Sequence, residues 1–334
     1  MSTPLKDLLR TSDLSKSDIQ LLLDTAGKFA KKPLQAKKTL AKRTVAIYMT
    51  KSSTRTRLAS ESAVAHLGGT PIFMRADDLQ IGRGESIADT ARVISGFCSA
   101  LIVRTFAQSD VDELGKYASI PVINALTDDD HPTQLLADWL TISERFGKSF
   151  KDRKFVYVGD GNNVANSWLI MGATMGAHVV VATPEGKWAP KSDVVNQANE
   201  IARKSGGKIE VLTDPKSAAK GASAIYTDVW MSMGDSEADR TEKINALSSF
   251  AVTSELMKLT TKDSIFMHCL PAHRGEEVAA DVIDGEKSVV WRQAFHRRTT
   301  IQSLLYHLTR GELKGHFEFG ASTVILMGQK EKWT

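Results

Sequence analysis

The chain has 334 residues, 42% hydrophobic and 25% charged. That balance excludes disordered and fibrous classes and leaves room for two domains of ~150 residues. A formal net charge of +4 without a continuous basic block argues against nucleic acid as a partner and for a small anionic substrate held by local arginines. No apolar run reaches the ~18 residues of a membrane span. The start, MSTPLKDLLRTSDLSKSD, lacks the apolar core of a secretory signal, so the expected compartment is the cytoplasm. Cys98 and Cys269 form neither a disulfide framework nor a metal-ligand pair by spacing.

In chain order, Ser15 and Asp18 read as a capping box, and Ile19, Leu22, Leu23, Ala26 and Phe29 recur at helical spacing behind them. Short apolar strands follow, each with a helical segment after it: VAIYM before 54–67, PIFM before 86–98, ALIV before 109–118, and VIN before a helix opening at His131-Pro132. A second series runs through FVYVGDGNNVANSW, HVVVA, KIEVL, SAIYTD, SIFMHCLP and SVVW. This alternation predicts an α/β protein of two doubly wound parallel-sheet domains, joined near the polar stretch 147–153. Ligands in such folds bind beyond the carboxyl ends of the strands. The polar clusters at 53–57, 104–105, 130–134, 159–163, 228–234 and 268–271 all fall there, which is the main reason to expect an enzyme.

Ser53-Thr-Arg-Thr-Arg57 places hydroxyls and arginines at a helix start, where free N–H groups and the helix dipole favour a compact anion. A capped helix with solvated arginines explains that run alone equally well, but Arg104, directly after the apolar ALIV, favours a buried anion held by an arginine fork. His131 and Gln134 lie one turn apart at a helix start. A packed or capping histidine is the commoner case, whereas a neutral imidazole beside arginines can donate to a carbonyl oxygen. GDGNNV lacks the third glycine of a dinucleotide loop because Val164 stands there, so NAD is a poor fit, and Asn163 is free to present its amide to a carboxylate. Asp228 with Ser232 suits an ammonium group, or else a helix cap. Cys269, after His268 and before Pro271, is a pocket residue or a buried inert thiol.

In composition and order these clusters closely resemble the aspartate/ornithine carbamoyltransferase family, and its ornithine-using members in particular. Ser-Thr-Arg-Thr-Arg and His-Pro-x-Gln are shared across carbamoyltransferases, while DVWMSMG and HCLPA look like the ornithine versions, and the similarity runs from the first helix to roughly residue 298. The resemblance implies a carbamoyl phosphate-binding domain over 1–148, an ornithine-binding domain over 149–293 and an active site in the cleft between them. A helix over 294–310 would pack back on the first domain, and the tail 311–334 has no assigned role. Ser53, Thr54, Arg55 and Thr56 would clasp the phosphate, with Arg104 reaching both phosphate and carbonyl oxygen and Arg297 adding a further phosphate contact. His131 and Gln134 would hold the carbamoyl end. Asn163, Asp228, Ser232 and Met233 would bind the amino-acid end of ornithine, and Cys269 and Leu270 would face the reacting carbon and the attacking amine. Arg104, His131, Cys269 and Asp228 are the expected catalytic set.

Gln80 matches a position that reaches a neighbouring subunit's site, which implies a homotrimer. No metal or organic cofactor is implied. One segment departs from the family pattern: Phe295-His296-Arg297 stands where Glu-Asn-Arg is usual. That departure keeps a catalytically silent binding paralogue open, and a carbamoyltransferase for a related amine such as putrescine or lysine is a further alternative, although the loop 228–234 argues against putrescine.

Overall fold

A computed structural model describes residues 5–150, 152–231 and 237–313. The first unit contains α1 (Lys16–Lys31), β1 (Thr44–Met49), α2 (Thr54–His66), β2 (Thr70–Arg75), α3 (Ile87–Phe97), β3 (Leu101–Arg104), α4 (Gln108–Tyr117), β4 (Val122–Leu126) and α5 (Pro132–Phe146). Its four strands pair in the order β2-β1-β3-β4, all parallel. The second unit contains β5 (Lys154–Val158), α6 (Asn163–Met175), β6 (His178–Ala182), α7 (Ser192–Ser205), β7 (Lys208–Leu212), α8 (Pro215–Ala219) and β8 (Ala224–Thr227). It continues with α9 (Glu237–Leu247), α10 (Ser254–Met257), β9 (Ile265–His268) and α11 (Ala280–Ile283), and α12 (Val290–Leu308) follows. Its five strands are also parallel, in the order β7-β6-β5-β8-β9.

The strand order reverses between β1 and β3 in one sheet and between β5 and β8 in the other. Both reversals open a crevice at the strand ends. Residues 53–57 and 104 edge the first crevice, and residues 159–163 and 228 edge the second.

The expected capping box at α1 is present: Ser15 Oγ accepts from the Asp18 amide, and the Asp18 carboxylate accepts from the Ser15 amide at 3.1 Å. Helix α5 is buried around its whole circumference from Pro132 to Ile142 because it lies between the two sheets. There Trp139 packs against Trp168 of α6, with centroids 5.2 Å apart, and against Phe155 of β5 at 5.3 Å. One apolar core thus runs from the first sheet through α5 and α6 into the second.

SVVW, expected as a strand, instead leads into a helix. Ser288 makes a single bridge to Phe266 and Val289 donates to the Phe266 carbonyl at 3.0 Å, after which the chain turns into α12. Tertiary position overrides the strand preference of the paired valines. Helix α12 packs on α1, α2 and α5 of the first unit.

Candidate active site

Ser53 caps α2, its Oγ accepting from the Thr56 amide at 3.3 Å. The cap aims the helix mouth into the cleft and leaves Thr54 exposed, Arg55 half-buried and Thr56 buried. Arg104 ends β3 almost fully buried, and Arg297 descends from α12, also buried. Arg297 donates through one terminal nitrogen to Gln134 Oε1 at 2.5 Å and through the other to Thr56 Oγ1 at 3.3 Å.

Burial first, then the neighbouring arginine charges, lowers the pKa of both Arg104 and Arg297 to about 10, so they remain cationic at neutral pH. The Nε groups of Arg104 and Arg297 are buried without a hydrogen-bond partner. Three guanidinium groups that repel one another, two with unmet donors, form a site suited to a compact anion.

His131 precedes α5 and is buried, its backbone N–H donating to Ser167 Oγ of α6 at 2.9 Å. Burial lowers its pKa well below the ordinary histidine value, and the charges of Arg297, Arg104 and Arg55 lower it further. The imidazole is therefore neutral, as its sequence context predicts, although burial outweighs the charges near it.

Gln134 is oriented by a residue that the sequence reading missed. Its Nε2 donates to Asp138 Oδ1 at 2.7 Å, which leaves Oε1 for Arg297. Gln293 of α12 donates to the same carboxylate oxygen at 2.7 Å and accepts from the His268 amide at 3.0 Å. This chain of contacts links α5, α12 and β9. Burial raises the Asp138 pKa to about 7, against the lowering effect of both glutamines. A polar residue one turn beyond Gln134 on a fully buried helix was the available signal.

The altered segment leaves Arg297 in the cleft. His296 is buried with its Nε2 2.8 Å from Glu144 Oε2, and Arg292 grips the same carboxylate through two nitrogens at 2.8 and 2.7 Å. Phe295 lies between the guanidinium groups of Arg292 and Arg298, each 5.0 Å from its ring centre. The unusual neighbours thus fasten α12 to α5 and to the surface.

On the opposite wall, Asp228 follows β8 and is mostly buried. Its Oδ1 accepts from the half-buried Cys269 thiol at 2.7 Å and from the Val229 amide at 2.8 Å, and its Oδ2 accepts from Asn162 Nδ2 at 3.1 Å. Burial and the Asp228 carboxylate push the Cys269 thiol well above its usual pKa, so it is protonated at neutral pH.

Asn162, not singled out from sequence, both caps α6 and touches Asp228. Asn163, the expected ligand, donates instead to the Thr127 carbonyl at 2.7 Å. Gly161 is required by packing: a Cβ there would stand 2.3 Å from the Pro190 nitrogen. That explains the glycine in GDGNN without a dinucleotide.

Leu270 holds a left-handed φ of 60°, a conformation that costs a leucine energy. It is supported by its amide donating to His268 Nδ1 at 2.8 Å. His268 is buried, and its Nε2 is 3.3 Å from Glu277 Oε1. It therefore props the turn and is not placed to take a proton from substrate. Asp228, His268 and Cys269 also have metal-ligand donor types within 4.8 Å of one another. Gln80 is exposed at the start of a short 3-10 turn and does not join this cluster. Ser232 and Met233 lie outside the described residues.

Two parallel sheets, with a cationic wall on one side of their cleft and an acid and a thiol on the other, define a two-domain α/β enzyme of small anionic and amino substrates. The chain belongs to the aspartate/ornithine carbamoyltransferase family. Residues 6–144 match that family's carbamoyl-P binding domain and residues 151–308 its Asp/Orn binding domain. The ornithine carbamoyltransferase of Pyrococcus horikoshii is 48% identical over 312 residues, 93% of this chain and 98% of the relative. The anabolic ornithine carbamoyltransferase of Pyrococcus furiosus is 48% identical over 92% of this chain and 98% of the relative. A solved ornithine carbamoyltransferase from P. furiosus superposes with a TM-score of 0.86 at 48% identity, covering 91% of this chain and 97% of that one. The anabolic enzyme of Campylobacter jejuni gives 0.86 at 36% identity, covering 92% and 99%.

Proposed function

We infer that this chain transfers the carbamoyl group of carbamoyl phosphate to the δ-amine of L-ornithine, giving L-citrulline and phosphate. The observation that carries the reading is the pair of buried guanidinium groups of Arg104 and Arg297, each with an unmet Nε donor, the latter bonded to Thr56 in the first turn of capped α2. In this reading Ser53, Thr54, Arg55 and Thr56 clasp the phosphate, and Arg297 closes on it from α12. Arg104 spans phosphate and carbonyl oxygen. His131, being neutral, donates its N–H to the carbonyl oxygen and gives up no proton, while Gln134 holds the carbamoyl amide.

The δ-amine loses one proton to solvent before it attacks, because an ammonium has no lone pair. Its nitrogen bonds to the carbamoyl carbon, and the oxyanion that forms is met by Arg104, His131 and Thr56. The C–O bond to phosphate then breaks, and the second nitrogen proton leaves with the phosphate. Holding both substrates in line supplies much of the acceleration.

Asp228 receives the α-ammonium of ornithine, with Asn163, Ser232 and Met233 at the α-amino-acid end and Cys269 and Leu270 beside the reacting centre. Putrescine lacks the α-carboxylate and α-amino groups that these residues would hold. The test is citrulline formation from carbamoyl phosphate with ornithine, set against product from lysine and putrescine. Ornithine should be preferred over putrescine by roughly 10⁴-fold in kcat/KM, the scale at which polar groups left unpaired discriminate, and over lysine, one methylene longer, by roughly 10–200-fold. No turnover with any amine would favour a silent paralogue.

The domain division at about residue 148 and a cytoplasmic location belong to the same reading, and no described helix is long and apolar enough to cross a membrane. So does a homotrimer in which Gln80 enters a neighbouring site. The exposed Val93 and Phe97 on α3 fit a surface covered by another subunit. Inactive Gln80→Ala and Arg55→Ala proteins should regain activity when their subunits are mixed, and no recovery despite proven exchange would rule out the shared site.

A further inference from the structure

Beyond the turn that carries Cys269 and Leu270, the chain folds tightly through residues 273–278. The Glu276 amide donates to the His273 carbonyl at 3.0 Å, the Gly275 amide donates to the Val278 carbonyl at 2.9 Å, and Gly275 takes a φ of 91°. His273, Glu276 and Glu277 are brought to one side as a result.

Glu277 is completely buried. Its Oε1 accepts from the His273 amide at 2.5 Å and lies 3.3 Å from His268 Nε2, but its Oε2 has no partner. Glu276 donates nothing either: its Oε1 accepts from Arg240 at 2.9 Å, and its buried Oε2 is likewise unpartnered. Both free oxygens face the same nitrogen. His273 Nδ1 lies 3.9 Å from Glu276 Oε2 and 3.8 Å from Glu277 Oε2, and each of the three residues brings one donor atom within 4.8 Å of the other two. These separations are too long for direct hydrogen bonds. Two carboxylate oxygens held together out of water need a shared cation.

We propose that His273, Glu276 and Glu277 form a binding site for a divalent transition-metal ion, separate from the substrate cleft. Two ligands at ~2.1 Å from a tetrahedral ion are ~3.4 Å apart, so each histidine–carboxylate separation needs to contract by only about half an ångström. One imidazole and two carboxylates suit Zn²⁺, Co²⁺ or Mn²⁺ better than a soft ion that seeks thiolate. The His273 side chain is 47% exposed, which leaves the outer face of the ion open to water. Behind the site, the contact with His268 holds Glu277 in place, as outer-shell groups hold metal ligands elsewhere. The ion joins the turn after Leu270 to α9 through Glu276 and Arg240.

The test is calorimetric titration of the full-length, chelator-treated protein with Co²⁺ alone, followed by absorption spectroscopy. One equivalent should bind without a cobalt–thiolate charge-transfer band. His273→Ala and Glu276→Gln should each weaken binding at least about tenfold, no less than loss of an outer-shell partner costs a metal site. Glu276→Gln retains an acceptor for Arg240 and so guards against a merely structural loss, and Cys269→Ser should bind Co²⁺ like the wild type. No binding at millimolar Co²⁺, equal binding in the two site variants, or a thiolate band that vanishes in Cys269→Ser would overturn the proposal.

Discussion

The two walls of the cleft meet their polar needs in opposite ways. On the first, Arg104 and Arg297 are buried with unmet Nε groups, and their charges act on each other and on Arg55. On the second, Cys269 and Asn162 both donate to Asp228, and Asn163 is engaged with Thr127. An anion entering the first wall meets two unmet Nε donors besides the Arg297 contacts to Gln134 and Thr56, whereas an amino acid entering the second must replace existing hydrogen bonds. Charge at the first wall should therefore dominate substrate capture, and partner exchange at the second should govern use of the acceptor.

The largest break in this contrast is Arg55→Ala. It removes one arm of the clasp from a half-buried position and should leave the fold intact. Loss of one such donor costs ~2.7–4 kcal/mol, a fall in kcat/KM of ~10²–10³, measurable by steady-state citrulline formation. Wild-type kinetics would sink the phosphate assignment. Cys269→Ser replaces a protonated thiol beside Asp228 with a hydroxyl of similar shape. Its KM for ornithine should rise on the order of tenfold, about one charged hydrogen bond's worth, with little change in KM for carbamoyl phosphate.

The cationic wall also predicts a ligand effect on stability. A guanidinium whose pKa falls from 12.5 to about 10 on folding is charged at a cost to the native state at neutral pH, and that cost fades only as pH rises past 10. A bound anion offsets it. Inorganic phosphate at ten times its Kd should stabilise the protein by about 1.4 kcal/mol, read as a rise in Tm, and Arg55→Ala should blunt the rise.

Asp138→Asn sharpens the comparison with the smallest effect on turnover, a loss of roughly threefold through looser Gln134, below the worth of one neutral hydrogen bond. Its clearer signature is in pH. A carboxyl raised from 3.8 to about 7 by burial binds its proton more tightly when folded, so its contribution to stability falls as pH rises from 3.8 through 7. Denaturant unfolding across that range should show a shallower decline in the variant.

The first wall was the more legible from sequence. Its residues come from strand ends and helix starts, where short motifs such as STRTR and HPTQ carry their own geometry. The second wall depended on phase: Asn162 and Asn163 differ by one position, and the start of α6 decides which amide meets Asp228. The bracing behind both walls was not legible. Asp138 with Gln293 and Glu144 with His296 join residues ~150 positions apart, and nothing in a local pattern pairs them. SVVW was misread because its valines have strand propensity yet stand where α12 must begin. The rest of the tail, 314–334, to which the sequence assigned no role, lies outside the described residues.

The claim that donor and acceptor are held by separate groups is tested most directly by titrating carbamoyl phosphate calorimetrically into wild type, Arg55→Ala and Cys269→Ser. The account predicts that Arg55→Ala loses measurable affinity while Cys269→Ser stays within about threefold of wild type, less than one hydrogen bond is worth. Equal losses in the two variants would contradict it and make Cys269 part of the anion site or of the fold.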